Sequence, residues 1–379
     1  MTNALLDAAR DLRSEIDARA AKAEGGPVDA ETVTALYDAG LYAAMIPAAV
    51  GGAELDIASC IEIFAEVARA DGSVGWCLMA SQSAASYFAA FCDDALVERV
   101  FGGGIPLVAG QFAPQGTLTP VGETDWVLDG SYRFGSGLND AQWAGAGAVT
   151  QPRNGEDPSY RFVIMPRSDV ELQGGWNVMG LQSTASWDYR ATGVVVPDNA
   201  TFDFFFPHRY RGGSMYDMGV LPLTAAGHAG WAIGLIRRAL DELRVMATTK
   251  KRMASKGPMR DSEWIQMRLG HLEARAAAAT SWTYATFRAL EAQCAEGNGP
   301  DEALVRDARM ATAFVNHEGA DIIRDAYTLA GTDALRDGGL QRAFRDIHAG
   351  TQHAVVSESV TQDYGAASIA SAPENAIDA

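Results

Sequence analysis

Two of the six histidines in the chain, His348 and His353, lie in one short run that also contains Arg342, Arg345 and Asp346. The run is expected to be helical. Five residues along a helix correspond to about 500° of rotation, so the two imidazoles point in different directions. One can therefore face a pocket while the other does not. Imidazole titrates near neutral pH and suits proton transfer, but a polar position on a late helix explains each histidine equally well.

Composition and charge narrow the classes of protein. The chain has 379 residues, of which 48% are apolar and 21% are charged, which is ordinary for a globular protein and allows two or three packed units. The formal net charge of −18 at pH 7 would be repelled by the phosphates of nucleic acid and by anionic membrane surfaces. We therefore expect a small-molecule function with neither nucleic acid nor membrane as a partner.

The cysteines and the first residues bear on the cellular compartment. The four cysteines lie far apart, without the spacing of a metal site, in a chain long enough to fold without disulfides. Reduced, buried thiols and no bound metal are expected. The N-terminus lacks the basic start and apolar block of a secretory signal, which predicts a cytoplasmic protein. Residues 73–92 carry no charge, but their serines and Gln82 favour a helix buried in protein over a membrane span.

The pattern of apolar residues divides the chain into three parts. Residues 1–105 are predicted to form an N-terminal helical domain of three or four helices, residues 106–215 a central β domain, and residues 216–379 a C-terminal helical domain. In the β domain, Asp129 and Gly130 are expected to form the turn between two short strands. Three long helices should be followed by a final helix that runs from residue 340 through His353 towards residue 360.

Four strings of residues carry more information than this order of parts. They are Phe134-Gly135-Ser136-Gly137 with Ala141-Gln142-Trp143, the stretch from Trp176 to Ser186, Val195-Val196-Pro197, and the run from Arg342 to His353. Together they resemble the acyl-CoA dehydrogenase superfamily, in particular its two-component flavin-dependent monooxygenases acting on 4-hydroxyphenylacetate, secosteroid phenols, dibenzothiophene and amino sugars. The resemblance implies an α+β fold with a helical N-terminal domain, a central β-barrel or sandwich, and a C-terminal four-helix bundle.

The same resemblance implies a function. The expected enzyme takes reduced FMN or FAD from a separate flavin reductase and reacts it with O2 to a flavin peroxide, which oxygenates a small aromatic or amine. Such an adduct must be shielded from water in a closed pocket, or it collapses to hydrogen peroxide. A homotetramer is also implied, because a loop matching Gly331 and Thr332 approaches the cofactor from a neighbouring subunit.

The resemblance also implies roles for individual residues, several of which lie outside these four strings. Ser136 and His353 are the expected catalytic residues, although a serine between two glycines is also common in ordinary turns. Trp76, Gln82 and Ser83 are expected to contact the substrate, and Arg345 and Asp346 to form a structural ion pair near the site. No glycine-rich nucleotide fingerprint is present, so a cation is expected to hold the flavin phosphate. The expected cofactor-binding residues are Gln111, Ser136, Gly137, Thr184, Ser186, Arg252, Gly331 and Thr332.

The chain also departs from its resembled relatives. Many of them carry a histidine in the helix that follows a Gly-Trp start, and residues 75–84 contain none, which puts a two-histidine chemistry in doubt. Acyl-CoA dehydrogenases place a glutamate base soon after the Arg-Asp pair, but no carboxylate follows Asp346 before Glu358. Glu242, on an earlier helix, keeps open the alternative of an acyl-CoA dehydrogenase or a nitroalkane-oxidase-like FAD enzyme. A flavin-binding scaffold without turnover is a third possibility.

Overall fold

The structure is a computed structural model that describes residues 2–153, 155–205, 207–251, 257–297 and 299–372. Its N-terminal part contains six α-helices, so the prediction of three or four was too low. An aspartate precedes four of these helices and accepts hydrogen bonds from backbone N–H groups of the first turn, which lets short helices begin at defined residues. The helices are α1 (Thr2–Asp11), α2 (Arg13–Ala23), α3 (Ala30–Asp38), α4 (Ile57–Ala70), α5 (Gly72–Phe91) and α6 (Asp94–Phe101).

The central part forms one seven-stranded sheet with the strand order β5-β6-β2-β1-β3-β4-β7. Strands β1 and β3 run parallel, and the other neighbouring strands run antiparallel. The strands are β1 (Val108–Val121), β2 (Asp125–Gly135), β3 (Trp143–Thr150), β4 (Tyr160–Pro166), β5 (Glu171–Gly174), β6 (Trp187–Val196) and β7 (Thr201–Asp203).

The turn predicted at Asp129 and Gly130 is wrong, because both residues lie inside the continuous strand β2. The pairing of β2 with β6 shifts register between Leu128 and Gly130, which marks a β-bulge. Asp129 accepts a hydrogen bond from the backbone N–H of Gly193 on β6, at 2.8 Å. The Asp-Gly pair therefore serves a bulge, which has the same residue preferences as a tight turn.

The described residues of the C-terminal part form five α-helices: α7 (Val220–Thr249), α8 (Glu263–Ala295), α9 (Glu302–Ala330), α10 (Gly339–Gly350) and α11 (Glu358–Ala370). The final helix was predicted to continue through His353, and that prediction is wrong. Helix α10 ends at Gly350, and His353 precedes a short 3-10 helix, Ala354–Val356. The chain then becomes helical again from Glu358 to Ala370.

Helix α5, the segment without charges, is buried along nearly its whole length and packs against α4, α7 and β1. No helix of the described residues is long and apolar enough to cross a membrane. Cys60, Cys92 and Cys294 are buried, Cys77 is half-buried, and all four thiols are free.

The packing of α7 against α10 depends on a glycine. Trp231 of α7 is fully buried, and its Nε1 donates a hydrogen bond to the carbonyl oxygen of Gly72 at 2.8 Å. Its ring lies directly against Gly350, where a Cβ atom would overlap the ring. The other side of Trp231 packs edge-on against Trp76 of α5, with 4.9 Å between ring centroids. Gly350 therefore sets the positions of two tryptophans.

We expect Gly350→Ala to lower the free energy of unfolding by about 1–3 kcal/mol, because the added methyl group overpacks a rigid ring and backbone. Gly270→Ala is the matched control: a Cβ atom there meets nothing within 4 Å, and alanine should stabilise helix α8 by about 0.5–1 kcal/mol. Urea unfolding of both variants checks the pair. A Gly350→Ala variant as stable as the wild type would contradict this account of the packing.

Candidate active site

Two adjoining cavities lie where the sheet meets helices α5, α7 and α10. The outer cavity has a volume of about 740 Å³ and the inner cavity a volume of about 90 Å³. Trp76, Phe134, Ser136 and His353 line both cavities and form the wall between them. The outer cavity is further lined by Trp176, Val178, Met179, Phe344, His348 and Gln352, and the inner cavity by Met79, Ala80, Ser83, Gln111, Thr224 and His228.

Trp76 occupies the centre of this shared wall and is 8% exposed. Its Nε1 donates a hydrogen bond to Ser136 Oγ at 3.1 Å. Its ring meets the imidazole of His228 edge-on at 4.9 Å and that of His353 at 5.7 Å, measured between centroids. One indole therefore positions a hydroxyl group and two imidazoles that come from three different parts of the chain.

Three hydroxyl groups continue from this tryptophan as a chain of hydrogen bonds. Ser136 Oγ lies 2.5 Å from Ser186 Oγ, which lies 2.6 Å from Thr184 Oγ1. Thr184 in turn donates to the carbonyl oxygen of Leu181 at 2.8 Å. Each hydroxyl carries a single proton, and Thr184 uses its proton on this carbonyl oxygen. Ser186 therefore donates to Thr184, and Ser136 donates to Ser186. Ser136 then has a lone pair left for a donor in the cavities.

The end of β2 and the segment before β6, which carry these hydroxyls, contain unusual backbone conformations. Four described residues other than glycine have a positive φ, and three of them are Phe134 (72°), Leu181 (56°) and Ala185 (42°). Left-handed backbone costs energy in residues with a Cβ atom and is often found at functional sites. Phe134 is 55% exposed despite being aromatic, and its ring packs against Trp176 at 5.9 Å between centroids.

His353 is held by its place before the 3-10 helix. Its Nδ1 accepts a hydrogen bond from the backbone N–H of Val355 at 3.3 Å. Burial lowers the pKa of His353 to about 4, so the imidazole is neutral at pH 7. A neutral ring that accepts at Nδ1 carries its proton on Nε2. His353 can therefore offer an N–H donor to the cavities.

His228 is a site residue that the sequence analysis did not find. It lies on α7, is 2% exposed, and its ring centroid is 4.2 Å from that of His353. Burial, followed by the proximity of His353, lowers the pKa of His228 well below its usual value. Its neighbours in the sequence are mostly small and apolar, which predicts a buried helix. A single polar residue on such a helix was the signal that could have identified His228. The second histidine thus comes from α7 and not from residues 75–84 of α5, where the sequence contains none.

The structure brings several predicted site residues together. Ser136 and Trp76 line both cavities, Ser186 lines the outer cavity, and Ser83 and Gln111 line the inner cavity. Gln111 was predicted to bind the cofactor, but its amide is held by the backbone: Nε2 donates to the carbonyl oxygen of Arg133 and Oε1 accepts from Ala113 N–H.

Other predicted site residues lie elsewhere. Gln82 was expected to contact the substrate, which is wrong, because it is 1% exposed and both ends of its amide bond the backbone of Leu41 and Met45. Thr184 and Gly137 line a small space on the far side of Ser186 rather than either cavity. Thr184 reaches the outer cavity only through the Ser186 hydroxyl.

The predicted subunit contacts, Gly331 and Thr332, do not line either cavity. Arg252 falls outside the described residues. Gly331 and Thr332 are exposed at the C-terminal end of α9, where Gly331 has a φ of 66°. Lys250, close by, donates to the carbonyl oxygen of Ala330 and pairs with Asp333, both at 2.8 Å.

Asp346 fixes the loop that forms the outer cavity. Its Oδ1 accepts a hydrogen bond from Leu181 N–H at 2.6 Å, and a Cβ atom at Gly180 would overlap the backbone of Arg345. The ion pair expected between Arg345 and Asp346 is wrong, because Arg345 pairs with Glu24 instead. Burial, then the nearby carboxylate of Asp71, raises the pKa of Asp346 to about 7.

No carboxylate of the described residues lines either cavity. Glu242 pairs with Arg238 at 2.8 Å and lies fourteen residues from His228, which is about 21 Å along helix α7. Glu358 is exposed at the start of α11. The described walls therefore lack a carboxylate base.

Two family models match the chain. The acyl-CoA dehydrogenase N-terminal domain matches residues 2–103 and the acyl-CoA dehydrogenase C-terminal domain matches residues 226–358, which together make up well over half of the chain. The chain is also 26% identical over 354 residues to indole-3-acetate monooxygenase of Pseudomonas putida, covering 89% of this chain and 86% of that protein. It is 26% identical over 341 residues to HsaA of Mycobacterium tuberculosis, described as the oxygenase subunit of a flavin-dependent monooxygenase, covering 86% and 84%.

Solved structures share the fold. The crystal structure of HsaA from M. tuberculosis superimposes with a TM-score of 0.89 at 23% identity and covers 98% of this chain and 99% of that one. XiaF from a Streptomyces species, solved in complex with FADH2 and glycerol, superimposes with a TM-score of 0.88 at 18% identity, covering 98% and 96%. The α+β architecture inferred from the sequence is thereby confirmed.

We expect Asp346→Asn to alter how stability depends on pH. An unfolded aspartate has a pKa near 4, so between about pH 4 and pH 7 the folded protein holds a proton that the unfolded chain has released. That stabilisation is complete below pH 4 and is lost as the pH rises through 7, where a charge is buried beside Asp71. Asparagine keeps an acceptor for Leu181 but does not titrate.

The stability of the Asp346→Asn variant relative to the wild type should therefore increase from pH 5 to pH 8. Urea unfolding at constant ionic strength measures it, and Asp363→Asn, which removes an exposed carboxylate from α11, controls for the change in net charge. A difference between variant and wild type that stays the same at every pH would refute the assignment.

Proposed function

Because the chain belongs to the acyl-CoA dehydrogenase family, we propose that it is the oxygenase component of a two-component flavin-dependent monooxygenase. It takes reduced FMN or FAD from a separate flavin reductase and uses O2 to oxygenate a small aromatic substrate. The overall reaction converts R–H, reduced flavin and O2 into R–OH, oxidised flavin and water. The observation that carries the proposal is the pair of cavities whose shared wall presents Ser136 and His353.

The outer cavity fits the flavin ring system. Its volume of about 740 Å³ lies in the usual range for cofactor sites, and its walls are mainly aromatic and apolar, as a planar ring requires. Phe134, Trp176 and Phe344 supply flat apolar surface, while the Ser136 and Ser186 hydroxyls supply polar contacts at the inner end. Reduced flavin carries N–H groups, and Ser136 has a lone pair free to accept one of them.

The remaining cofactor contacts extend the proposal to residues beyond the cavity. Arg252 would bind the flavin phosphate, and Gly331 and Thr332 would contact the cofactor of a neighbouring subunit in a homotetramer. The exposed position of Gly331 and Thr332 at the end of α9 is compatible with such a contact. A cytoplasmic location, with access to a reductase and reduced flavin, completes the proposal.

The walls of the two cavities suit oxygenation. Reduced flavin, when bound, supplies the two electrons that allow O2 to react with the substrate. Trp76 and Phe134 give the shared wall its apolar part, and Met79 adds apolar surface to the inner cavity. Such surfaces limit the entry of water, which protects the reaction from unproductive release of hydrogen peroxide. His353 holds a proton on Nε2 and can donate a hydrogen bond to an acceptor atom beside Ser136.

The dehydrogenase and nitroalkane-oxidase-like alternatives are less well supported. Both oxidations begin with removal of a proton from carbon, for which a carboxylate is the suitable base. Glu242 is ion-paired far along α7, and Glu358 is exposed, so neither reaches the cavities. His353 presents a donor and not a base.

Anaerobic titration with FMNH2 and FADH2, followed by mixing with O2, tests the function. We expect the protein to bind reduced flavin more tightly than oxidised flavin, and to form an oxygenated product from at least one member of a panel of phenols, indoles, thioethers and amines when a flavin reductase is added. Bleaching of bound FAD by an acyl-CoA would instead establish a dehydrogenase. Binding of flavin without any turnover would indicate a scaffold.

We expect His353→Ala to reduce the product formed per reduced flavin by about 10²-fold, with a matching rise in hydrogen peroxide, because the Nε2–H donor is lost. The affinity for reduced flavin should stay near the wild-type value. His353→Gln, whose amide can still donate near the same position, should recover part of the yield. His271→Ala, on the exposed face of α8, is the control. Unchanged coupled turnover in His353→Ala would remove this histidine from the reaction.

A further inference from the structure

We propose that His228 binds and orients the substrate in the inner cavity, by a hydrogen bond to an N–H or O–H group of an uncharged aromatic molecule. The inference rests on the proposed function and deepens it by naming a substrate class and the residue that selects it. His228 lies on α7, away from every string that carried the family resemblance.

The polar residues of the inner cavity differ in how their hydrogen-bonding groups are used. The Thr224 hydroxyl donates to the carbonyl oxygen of Val220, and the Gln111 amide is held by the backbone. Ser136 is bonded to Trp76 and Ser186, and His353 accepts at Nδ1 from the backbone. These groups are already oriented by the protein itself.

Two side chains are different. Ser83 Oγ is buried without a hydrogen-bond partner, and neither ring nitrogen of His228 has a partner among the described residues. The Nδ1 atom of His228 is fully buried without a partner, and the ring is 2% exposed while lining the inner cavity. A buried polar atom without a partner is unfavourable in an ordinary protein interior and is therefore uncommon. Nε2 also lacks a partner and is not among the fully buried atoms, so it is the nitrogen of His228 that a ligand in the inner cavity can meet.

The charge of the wall limits what can bind. None of the described residues lining the inner cavity is Lys, Arg, Asp or Glu. Desolvation lowers the pKa of both His228 and His353, so neither imidazole provides a positive charge at pH 7. A carboxylate or an ammonium group would be buried there without a counterion, at a cost that excludes tight binding. The ligand is therefore neutral at the end that enters the cavity.

Each imidazole then has a separate role. His353 presents a donor, since its tautomer is fixed by Val355. His228 is not fixed by the protein and can adopt the tautomer that places an acceptor towards an N–H or O–H group. The centroids of the two rings are 4.2 Å apart, so they form one neutral pair. In this pair His228 accepts a hydrogen bond and His353 donates one. The O–H or N–H edge of a phenol or an indole matches this arrangement, and that edge is the part that an inner cavity of about 90 Å³ can hold.

Binding of matched probes tests the inference without turnover. Equilibrium dialysis under anaerobic conditions, with the protein saturated with FMNH2, gives the Kd values of indole, N-methylindole, 2-naphthol and 2-methoxynaphthalene. In each pair the second probe lacks the hydrogen. We expect the wild type to bind indole and 2-naphthol about tenfold more tightly than their methylated partners. Indole-3-acetate should bind at least about tenfold more weakly than indole.

The variants assign this preference to His228. In His228→Leu the two probes of each pair should have nearly equal Kd values, mainly because indole and 2-naphthol bind more weakly. His228→Gln, which keeps a polar group, should restore part of the ratio, and His271→Leu should leave it unchanged. His228→Phe, an aromatic ring of similar shape, replaces the leucine variant if that variant does not fold.

Three results would overturn the inference. The first is a ratio of Kd values in His228→Leu or His228→Phe that equals the wild-type ratio. The others are indole-3-acetate binding as tightly as indole, and no binding of any of the four neutral probes. Failure of the monooxygenase proposal gives a different result. In that case the binding ratios and their dependence on His228 hold, while no oxygenated product forms after O2 is admitted.

Discussion

The hydrogen bond from Trp76 Nε1 to Ser136 Oγ is the interaction on which the arrangement of both cavities depends. It joins α5 to the loop after β2 and leaves the Trp76 ring edge-on to His228 and His353. The indole is itself fixed from behind by Trp231, which fits against α10 because residue 350 is glycine. Rotation of Trp76 would therefore separate Ser136 from both imidazoles and merge the two cavities. A bulky aromatic residue with one polar atom is suited to this position, because it packs and donates at the same time.

A second constraint connects the outer cavity to buried charge. Asp346 accepts from Leu181 N–H, and the carbonyl oxygen of Leu181 accepts from Thr184 and from Trp176 Nε1. The same short loop thus terminates the hydroxyl chain and positions an aromatic wall. Asp346 faces Asp71, whose pKa is also raised by burial, and Arg342 lies 3.4 Å from Asp71. Ionisation of Asp346 is coupled to the position of the loop at Leu181, because Asp346 holds that loop. The shape of the outer cavity and the stability of the fold therefore depend on the same carboxylates.

Much of this could be read from the sequence, and the remainder shows where such reasoning fails. Periodicity and turn residues, which are local signals, predicted the order of helices and strands. The fold itself was implied by the family resemblance of four strings, including the one around Ser136. The contacts that make the site are not local: Trp76 and Ser136 are 60 residues apart, and Leu181 and Asp346 are 165 residues apart. Gln82 had a plausible position on α5, but the helix turns its amide towards the backbone of residues 41–45. The turn predicted at Asp129 and Gly130 was wrong for another reason, because a β-bulge and a tight turn favour the same residue types.

His228 and His353 together illustrate how a protein obtains two functions from one residue type. Both imidazoles are neutral because burial removes water from the charged form, so charge does not distinguish them. The difference comes from one backbone N–H group, that of Val355, which occupies Nδ1 of His353 and leaves Nε2 as a donor. The corresponding groups of His228 are left open. This N–H group is available because α10 ends at Gly350 and the chain turns before the 3-10 helix. The break in the last helix, which hydrophobic periodicity did not reveal, thus fixes the tautomer of His353.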